Sequence, residues 1–313
     1  MYSTAEVANL LSINVSTVKR WSDTGDLECI RTKGRHRRFT LSSVMKFIQE
    51  NKLQMPELAA RIFDRPELHA QLLVGNKDPL TAEIRNAAAD GDTEQVMIAL
   101  RIGLTSKPDL LEFFSSIVFP PLARIGEDWA HGILSVEEEH LASRTIREAL
   151  IRVQPELHHQ EPNGLVAVCA CAEGELHEIA LDCVSSYLTV QGWTVYHFGA
   201  DTPSVSLAKA IARREPDLVV LSAVIIPDEW KFQNDIATII EPAVRKAGGK
   251  LCVGGPKLRK RFGRKLKADF TVESLEEIAA MSNAVNFPAV ELKHGLQNGE
   301  DELLRPQGGR GSM

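Results

Sequence analysis

The stretch "GLVAVCACAEGELHEIALDCVSSYLTVQG", residues 164–192, shows the pattern that decides the fold. A continuous apolar run leads into a polar loop and then into a helix-like segment that ends at Gly192. Further strand-like and helix-like segments follow in "WTVYHFG", "SVSLAKAIARR", "DLVVLSAVI", "KLCVGG" and "ADFTV". Strands that alternate with helices over short connections predict an open, doubly wound parallel sheet with helices on both faces.

The loops after these strands indicate where a ligand would bind. With a flavodoxin-like strand order of 2-1-3-4-5, the crevice lies between the first and third strands, at their carboxyl ends. The loops "CAEGELHE", "SAVIIP" and "GGP" surround it, and the first contains His177, a strong metal ligand. Glu175 is placed to hydrogen-bond its imidazole. The alternative is an exposed histidine at a helix start, but the small-residue loops around the crevice favour a ligand site. A phosphate site is less well supported, because no G-x-G-x-x-G or P-loop lysine follows the first strand.

Residues 80–157 contain helix-like segments throughout. The pieces are "TAEIRNAAADG", "TEQVMIALRIGL", "DLLEFFSSIVFPPLARIGEDWA" and "VEEEHLASRTIREALIRVQPEL". The last has one apolar stripe at helical spacing, formed by Leu141, Ile146, Ala149, Leu150 and Val153. Four amphipathic helices in so short a stretch predict a four-helix bundle.

The first fifty residues predict a winged helix-turn-helix, a DNA-binding module. Two short helices meet at a tight turn, and the basic hairpin "TKGRHRRF", residues 32–39, follows as a wing. The predicted contacts with double-stranded operator DNA are Ser16 and Thr17 for the bases, and Lys19, Arg20, Arg35, Arg37 and Arg38 for the phosphates. The alternative is a solvated basic hairpin, which the preceding helix pair disfavours.

The charge is divided unevenly along the chain. Residues 1–50 contain eight Lys or Arg and five Asp or Glu, a net charge of +3, whereas the whole chain has a net charge of −6. A basic head on an acidic body is expected when only the head meets a polyanion. The five cysteines have no zinc-type spacing, and no apolar run is long enough for a membrane span, so we expect reduced thiols and a cytoplasmic protein.

Two motifs accompany this domain order. Trp129 is followed, after nine residues, by the pair Glu139-His140, and the loop after the first strand reads Glu175-x-His177. In this combination the chain resembles the CarH/LitR family of MerR-type transcriptional repressors, which sense light with adenosylcobalamin. The resemblance covers roughly residues 1–290. The "GWTVYHFGADTP" segment, residues 192–203, is similar to the second-strand segment of that family.

The resemblance implies specific roles. His177 would be the lower axial ligand of cobalt, and the other cofactor-binding residues would be Trp129, Val136, Glu139, His140, Glu175, Ser222, Gly254 and Gly255. The dark form would be a homo-oligomer, a dimer or a tetramer, that binds operator DNA and releases it when light breaks the cobalt–carbon bond. No enzymatic activity is implied.

Three positions depart from the family pattern. The family has a histidine directly after the tryptophan, implied to bind cobalt after illumination, but here Ala130 follows and His131 is one place later. One residue turns a helix by about 100°, so His131 could be the light-state ligand only if the helix ends or bends there. Ala180 replaces the glycine that closes the loop motif, and Val224 replaces leucine in a Ser-x-Leu element.

These departures leave two alternatives open. The chain could be a sensor of the same architecture that uses another chromophore or no cobalamin. It could also be a corrinoid carrier subunit of a methyltransferase, which the DNA-binding module disfavours. The predicted domains are a winged helix-turn-helix over 1–52, a linker over 53–79, a helical bundle over 80–160, a cobalamin-binding domain over 161–290 and a disordered tail over 291–313.

Overall fold

The computed structural model describes residues 2–11, 13–32, 34–51, 65–106, 109–157 and 159–286. The predicted tail 291–313 and residues 53–64 of the predicted linker lie outside these ranges. The described part contains an N-terminal helical head, a helical bundle and a five-stranded parallel sheet with helices on both faces. The predicted fold class is therefore confirmed. Nowhere in these ranges is a helix long and apolar enough to cross a membrane.

The head is a winged helix-turn-helix, as predicted. Its elements are α1 (Thr4–Leu10), α2 (Val15–Thr24), the antiparallel hairpin of β1 (Ile30–Arg31) and β2 (Arg37–Arg38), and α3 (Leu41–Glu50). The Asn14 side chain caps the first turn of α2, and Gly25 ends the helix in the left-handed conformation, with φ of 84°. Val18 and Phe39 are fully buried in the small core that joins these elements.

A helix within the predicted linker joins the head to the bundle. This helix, α4 (Pro66–Leu73), places Leu68 and Leu72 in the same hydrophobic core as the bundle. On its other side the hydroxyl of Tyr2 lies 3.1 Å from Nδ1 of His69, and both side chains are buried. The head is therefore in direct contact with a helix that packs on the bundle.

The bundle has four helical arms. They are α5 (Asp78–Ala89), α6 (Thr93–Ser106), the continuous arm of α7 (Leu110–Phe113), a π-helical turn (Phe114–Val118) and α8 (Phe119–Ala130), and lastly α9 (Val136–Val153). The π-helical turn precedes Pro120 and Pro121, which have no N–H to donate to the carbonyls of the preceding turn.

The apolar stripe of α9 is confirmed at four of its five positions. Ile146, Ala149, Leu150 and Val153 are buried in the bundle core. The prediction is wrong for Leu141, which is 46 % exposed. Its side chain lies over the turn at Gly91 between α5 and α6 rather than in the bundle core.

The sheet has the strand order β4-β3-β5-β6-β7 with all strands parallel, which is the predicted 2-1-3-4-5 order. In chain order its elements are β3 (Val166–Cys171), α10 (Ile179–Val190), β4 (Thr194–His197), α11 (Ser204–Arg214), β5 (Leu218–Ser222), α12 (Glu229–Asp235), a π-helical turn (Ile236–Ile240), α13 (Glu241–Ala247), β6 (Lys250–Gly254), α14 (Leu258–Phe262), β7 (Phe270–Val272) and α15 (Glu276–Asn286).

One face of the sheet shares its core with the bundle. Cys169 and Cys171 of β3 point into a cluster that also contains bundle residues such as Ile146, whereas Val168 and Ala170 point into a separate cluster under α11 and α13. The helix α10 contributes to the shared cluster. Because the bundle and the sheet share this close-packed core, a displacement of one changes the packing of the other.

Candidate functional site

His177 lies in the loop between β3 and α10, beyond the carboxyl end of the sheet. Its ring Nδ1 is 2.6 Å from Oε1 of Glu175, and its backbone N–H donates to the same oxygen. The ring is 57 % exposed, whereas the Glu175 side chain is fully buried. In the part of the chain that the structure describes, Nε2 of His177 has no hydrogen-bond partner. The imidazole is therefore held by one nitrogen and presents the other outward.

The charges of this pair are mutually stabilised. The hydrogen bond from His177 to Glu175 raises the pKa of the imidazole, outweighing burial, and the negative charge of Glu139 adds to it. Burial alone would raise the pKa of the Glu175 carboxyl, but hydrogen bonds from His177 and from the Ile225 N–H leave it below its usual value. A buried carboxylate that accepts three hydrogen bonds stays ionised and keeps the ring oriented.

Glu175 and Asp201 also join the loops around the crevice. The backbone N–H of Ile225, in the loop after β5, donates to Oε2 of Glu175. Asp201, in the loop after β4, accepts from the Gly174 N–H at 2.7 Å, and its own N–H donates to the Glu175 carbonyl at 2.9 Å. The three loops thus form one hydrogen-bonded unit around His177.

The predicted residues of the third and fourth strands lie at the same end of the sheet. Ser222 ends β5, is buried, and stands in register with Cys171 on one side and Gly254 on the other. A Cβ on Gly255 would lie 2.1 Å from the carbonyl oxygen of Ala223, so only glycine fits there. The chain after β6 therefore packs closely against the backbone that follows β5.

The bundle contributes an exposed apolar surface. Trp129, near the end of α8, is 50 % exposed, and Val136, the first residue of α9, is 53 % exposed. Glu139 is close enough for its charge to act on His177, so the start of α9 faces the histidine loop. Large apolar groups beside a polar anchor are typical of a small-molecule site. The charge interaction with His177 therefore places Glu139 near the histidine loop, while Trp129 and Val136 are exposed on the same bundle.

The charged residues at the start of α9 make different contacts. Ser135 and Glu138 form a reciprocal capping box, so Glu138 belongs to the helix start. Glu139 accepts a hydrogen bond of 2.6 Å from the Ser143 hydroxyl. The His140 side chain is 73 % exposed, with Nε2 3.7 Å from Glu139. Glu139 is thus oriented by its own helix, and His140 extends into solvent.

An ion pair that sequence patterns do not reveal supports the tryptophan. Asp128 is buried next to Trp129 and accepts hydrogen bonds from the guanidinium of Arg85, 43 residues earlier on α5. The Asp128 carbonyl also accepts from the N–H groups of Ile133 and Leu134, at 2.8 and 3.2 Å. Asp128 therefore shapes the turn that follows Trp129.

His131 lies at the C-cap of α8, so the helix ends there, which is the condition under which His131 could be a ligand. Its ring Nδ1 is 2.7 Å from the carbonyl oxygen of Glu127 in the preceding turn. The side chain is exposed and bonded to its own helix, separate from the Glu175–His177 unit.

A second cluster of metal-ligand types is filled by an arginine. Glu178, Asp182 and His197 place one ligand atom each within 4.8 Å of one another. The guanidinium of Arg147 bonds both carboxylates, at 2.6 to 3.0 Å. An arginine with two carboxylates satisfies the charges that a cation would otherwise satisfy.

The predicted DNA-contacting residues occupy the head as expected for a winged helix-turn-helix. Ser16 and Thr17 form the first turn of α2, and Lys19 and Arg20 are exposed on it. Arg35 is exposed in the wing turn with a φ of 60°. These five residues are on the outer surface of the head.

The wing arginines have a structural role that the sequence did not reveal. Asp23, near the end of α2, accepts from Arg37 at 2.5 Å and from Arg31 at 2.9 Å. The hydrogen bond from Arg37 lowers the pKa of the exposed Asp23 carboxyl. Arg38 is half-buried and its guanidinium bonds the Arg37 carbonyl. The wing is therefore tied to α2, and Arg37 is partly engaged within the head.

Family comparisons agree with this geometry. Residues 1–52 match the helix-turn-helix domain, and residues 80–154 and 165–280 match two B12 binding domains. The chain is 28 % identical over 275 residues to the HTH-type transcriptional repressor CarH of Myxococcus xanthus, covering 80 % of this chain and 88 % of that protein. It is 25 % identical over 219 residues to the trimethylamine corrinoid protein of Methanosarcina barkeri, covering 67 % and 98 %.

A solved structure shares the fold of the body. The monomethylamine corrinoid protein of Methanosarcina barkeri superimposes with a TM-score of 0.56 at 17 % identity, covering 67 % of this chain and 99 % of that one. The helix-turn-helix head and the match to CarH distinguish the chain from such corrinoid proteins in domain content. With its helix-turn-helix domain ahead of two B12 binding domains and its similarity to CarH over most of its length, the chain is a cobalamin-binding transcriptional regulator.

Proposed function

We propose that the protein is a light-responsive transcriptional repressor that holds adenosylcobalamin between its bundle and its α/β domain. The observation that carries this proposal is the His177–Glu175 pair, in which a buried carboxylate holds one imidazole nitrogen and the ring is more than half exposed. His177 fits the cofactor, because the nitrogen of a neutral imidazole is a metal ligand type and the His177 ring is more than half exposed.

On the α/β side, His177 would hold the metal from below. When the imidazole is neutral, Glu175 would hold its proton at Nδ1, because the buried carboxylate accepts from Nδ1, and Nε2 would have the lone pair that a metal needs. Ser222, Gly254 and Gly255 would line the channel beside β5 and β6 that takes the nucleotide tail.

On the bundle side, Trp129 and Val136 would cover the apolar part of the upper ligand, while Glu139 and His140 would hydrogen-bond its polar part. The bound cofactor supplies a cobalt–carbon bond that green or blue light breaks. Through contacts with the bound cofactor these four residues would hold the bundle in one position, and the loss of those contacts would release it.

The proposed output is release of operator DNA. In the dark several copies assemble as a dimer or tetramer, so that weak heads with a net charge of +3 act together. Loss of the upper contacts shifts the bundle, separates the copies and lowers the affinity for DNA.

The test is the visible spectrum of the protein mixed with adenosylcobalamin and desalted, before and after green light, with operator binding measured in both states. We expect cofactor retention, a spectral change on illumination and weaker DNA binding afterwards. A wild-type protein that retains no cobalamin would contradict the proposal. Retention without a change in DNA binding would leave a cobalamin protein that is not a light switch.

Trp129→Ala is expected to lower adenosylcobalamin affinity about tenfold, because an aromatic ring stacked on a base contributes about 1–3 kcal/mol. Hydroxocobalamin, which has no adenosyl group, should bind the variant and the wild type equally. Titration with both cofactors measures the difference. Ile151→Ala, at the far end of α9 and 46 % exposed, is the matched control. Equal losses for both cofactors would argue against a role at the adenosyl group.

The double substitution Lys19→Ala/Arg20→Ala is expected to weaken operator binding by at least about tenfold, because two phosphate contacts are removed. The slope of log affinity against log salt should fall by about two. Lys46→Ala is the control, since Lys46 is an exposed lysine of α3 that pairs with Glu50. Electrophoretic mobility shifts at several salt concentrations give both quantities, and an unchanged slope would remove α2 from the DNA interface.

A second candidate function is supported by the similarity to corrinoid proteins of Methanosarcina. In that case the body would carry a methyl group for a methyltransferase. The candidate is tested by incubating the protein with methylcobalamin and a methyltransferase partner, and methyl transfer without any effect on DNA binding would favour it. The helix-turn-helix head favours the regulator.

A further inference from the structure

The Arg147 clasp, formed by Arg147, Glu178 and Asp182, joins the last bundle helix to the first helix of the α/β domain. From α9, Nε of Arg147 donates to Oδ2 of Asp182 at 2.7 Å. Its two terminal nitrogens donate to the two oxygens of Glu178 at 3.0 and 2.6 Å. Both acceptors belong to the start of α10, so a single side chain bridges the two domains.

The clasp is partly shielded from solvent. The side chains of Glu178 and Asp182 are 18 % and 7 % exposed, and the other oxygen of Asp182 is 3.0 Å from Nε2 of His197 on β4. Burial alone would raise the pKa of Asp182, but bonds from His197 and Arg147 leave it lowered. Removal of the arginine would leave two carboxylates together, one of them buried, so the clasp constrains α9 more than a surface ion pair does.

The position of the clasp connects the two halves of the cofactor site. Glu178 directly follows His177, so any movement of that loop moves the first carboxylate. His140 precedes Arg147 by seven residues, about two turns, and therefore lies on the same face of α9. The clasp thus connects the loop of His177 to α9, the helix that carries Val136, Glu139 and His140.

We propose that Arg147 is a positioning residue that transmits the state of the His177 loop to α9 and so to the bundle. That the transmitted signal is the state of the cofactor rests on the proposed function. That Arg147 connects α9 to α10 rests on its hydrogen bonds to Glu178 and Asp182. An intact clasp keeps α9 at a fixed position relative to α10, and a shift at His177 is passed to α9 as a displacement.

The experiment compares Arg147→Met, Arg147→Lys and the control Arg144→Met, in which an exposed arginine of the same helix is replaced. Hydrogen–deuterium exchange is first measured without cofactor. In Arg147→Met we expect amides of residues 136–147 to exchange at least about tenfold faster, with β5 and β6 unchanged. Arg147→Lys retains the charge but cannot bond both carboxylates, so an intermediate rate is expected.

The second readout is the change in operator affinity on illumination, in protein shown by its spectrum to hold adenosylcobalamin. Arg147→Met should reduce this change to less than about a third of the wild-type value, whereas Arg144→Met should keep it. An Arg147→Met variant with wild-type exchange, or with cofactor bound and a wild-type light response, would overturn the proposal. If the wild type retains no cobalamin, the proposed function fails, and the exchange rates alone decide whether the clasp couples α9 to α10.

Discussion

Replacing His177 by alanine is expected to lower adenosylcobalamin affinity by about 100-fold or more. Removal of a group that only supports a metal ligand already costs about 10- to 100-fold in metal sites, and here the ligand itself is removed. The absorption spectrum of any cofactor that still binds should change as well, because the metal loses an imidazole. Both quantities come from one spectrophotometric titration in the dark.

Two further variants make this result specific. Glu175→Gln keeps an oxygen that can accept from Nδ1 but removes the negative charge, so a smaller loss than for His177→Ala is expected. His159→Ala replaces an exposed histidine in the segment that follows α9 and should bind like the wild type. Because the His177 ring is more than half exposed, its removal should leave the fold intact. Equal affinity and an unchanged spectrum in His177→Ala would exclude it as the axial ligand.

Gly255→Ala should lower the free energy of unfolding more than the other substitutions proposed for this protein. The new Cβ would lie 2.1 Å from the Ala223 carbonyl oxygen, a backbone atom that cannot rotate away. The Gly255 N–H also bonds the Val272 carbonyl at 3.0 Å, so the strand end cannot move without losing that bond. Overpacking of this kind costs about 1–3 kcal/mol, and cofactor binding should fall because the segments that follow β5 and β6 are displaced.

Urea unfolding followed by circular dichroism measures this loss. Alanine substitutions at two other glycines serve as comparisons. Gly254→Ala meets a flexible Val272 methyl group at 3.3 Å and should have a smaller effect. Gly126→Ala, in α8 with open space around it, should be neutral or stabilise the protein by up to about 1 kcal/mol. If Gly255→Ala unfolds at the wild-type urea concentration, the close approach to Ala223 is not a constraint.

The Glu175-x-His177 loop illustrates how much of the site a short sequence can predict. Local spacing put a carboxylate two residues before an imidazole, and strand periodicity put both at the carboxyl end of a buried strand. The Nδ1–Oε1 distance of 2.6 Å in the structure agrees with that expectation. What spacing could not reveal is that the second oxygen of Glu175 binds the loop after β5, because that contact joins residues 50 positions apart.

The bundle side was less predictable for the same reason. Periodicity identified the helices, but it placed Leu141 in the core, whereas the packing of α5 and α6 leaves it half exposed. The ion pair between Arg85 and Asp128, which supports the turn after Trp129, depends on the packing of two helices. Charged residues are frequent on helices, so no local pattern marks these two.

The sequence by itself determined the domain order, the parallel sheet and the place of the histidine loop, because these follow from hydrophobic periodicity and from turn residues close along the chain. Only the tertiary structure decided how the domains are joined. Asp23 ties the wing to α2, and Arg147 ties α9 to α10, each through ion pairs between segments that pair only after the helices have packed. Ion pairs of this kind depend on distances of a few ångström, which no local spacing determines.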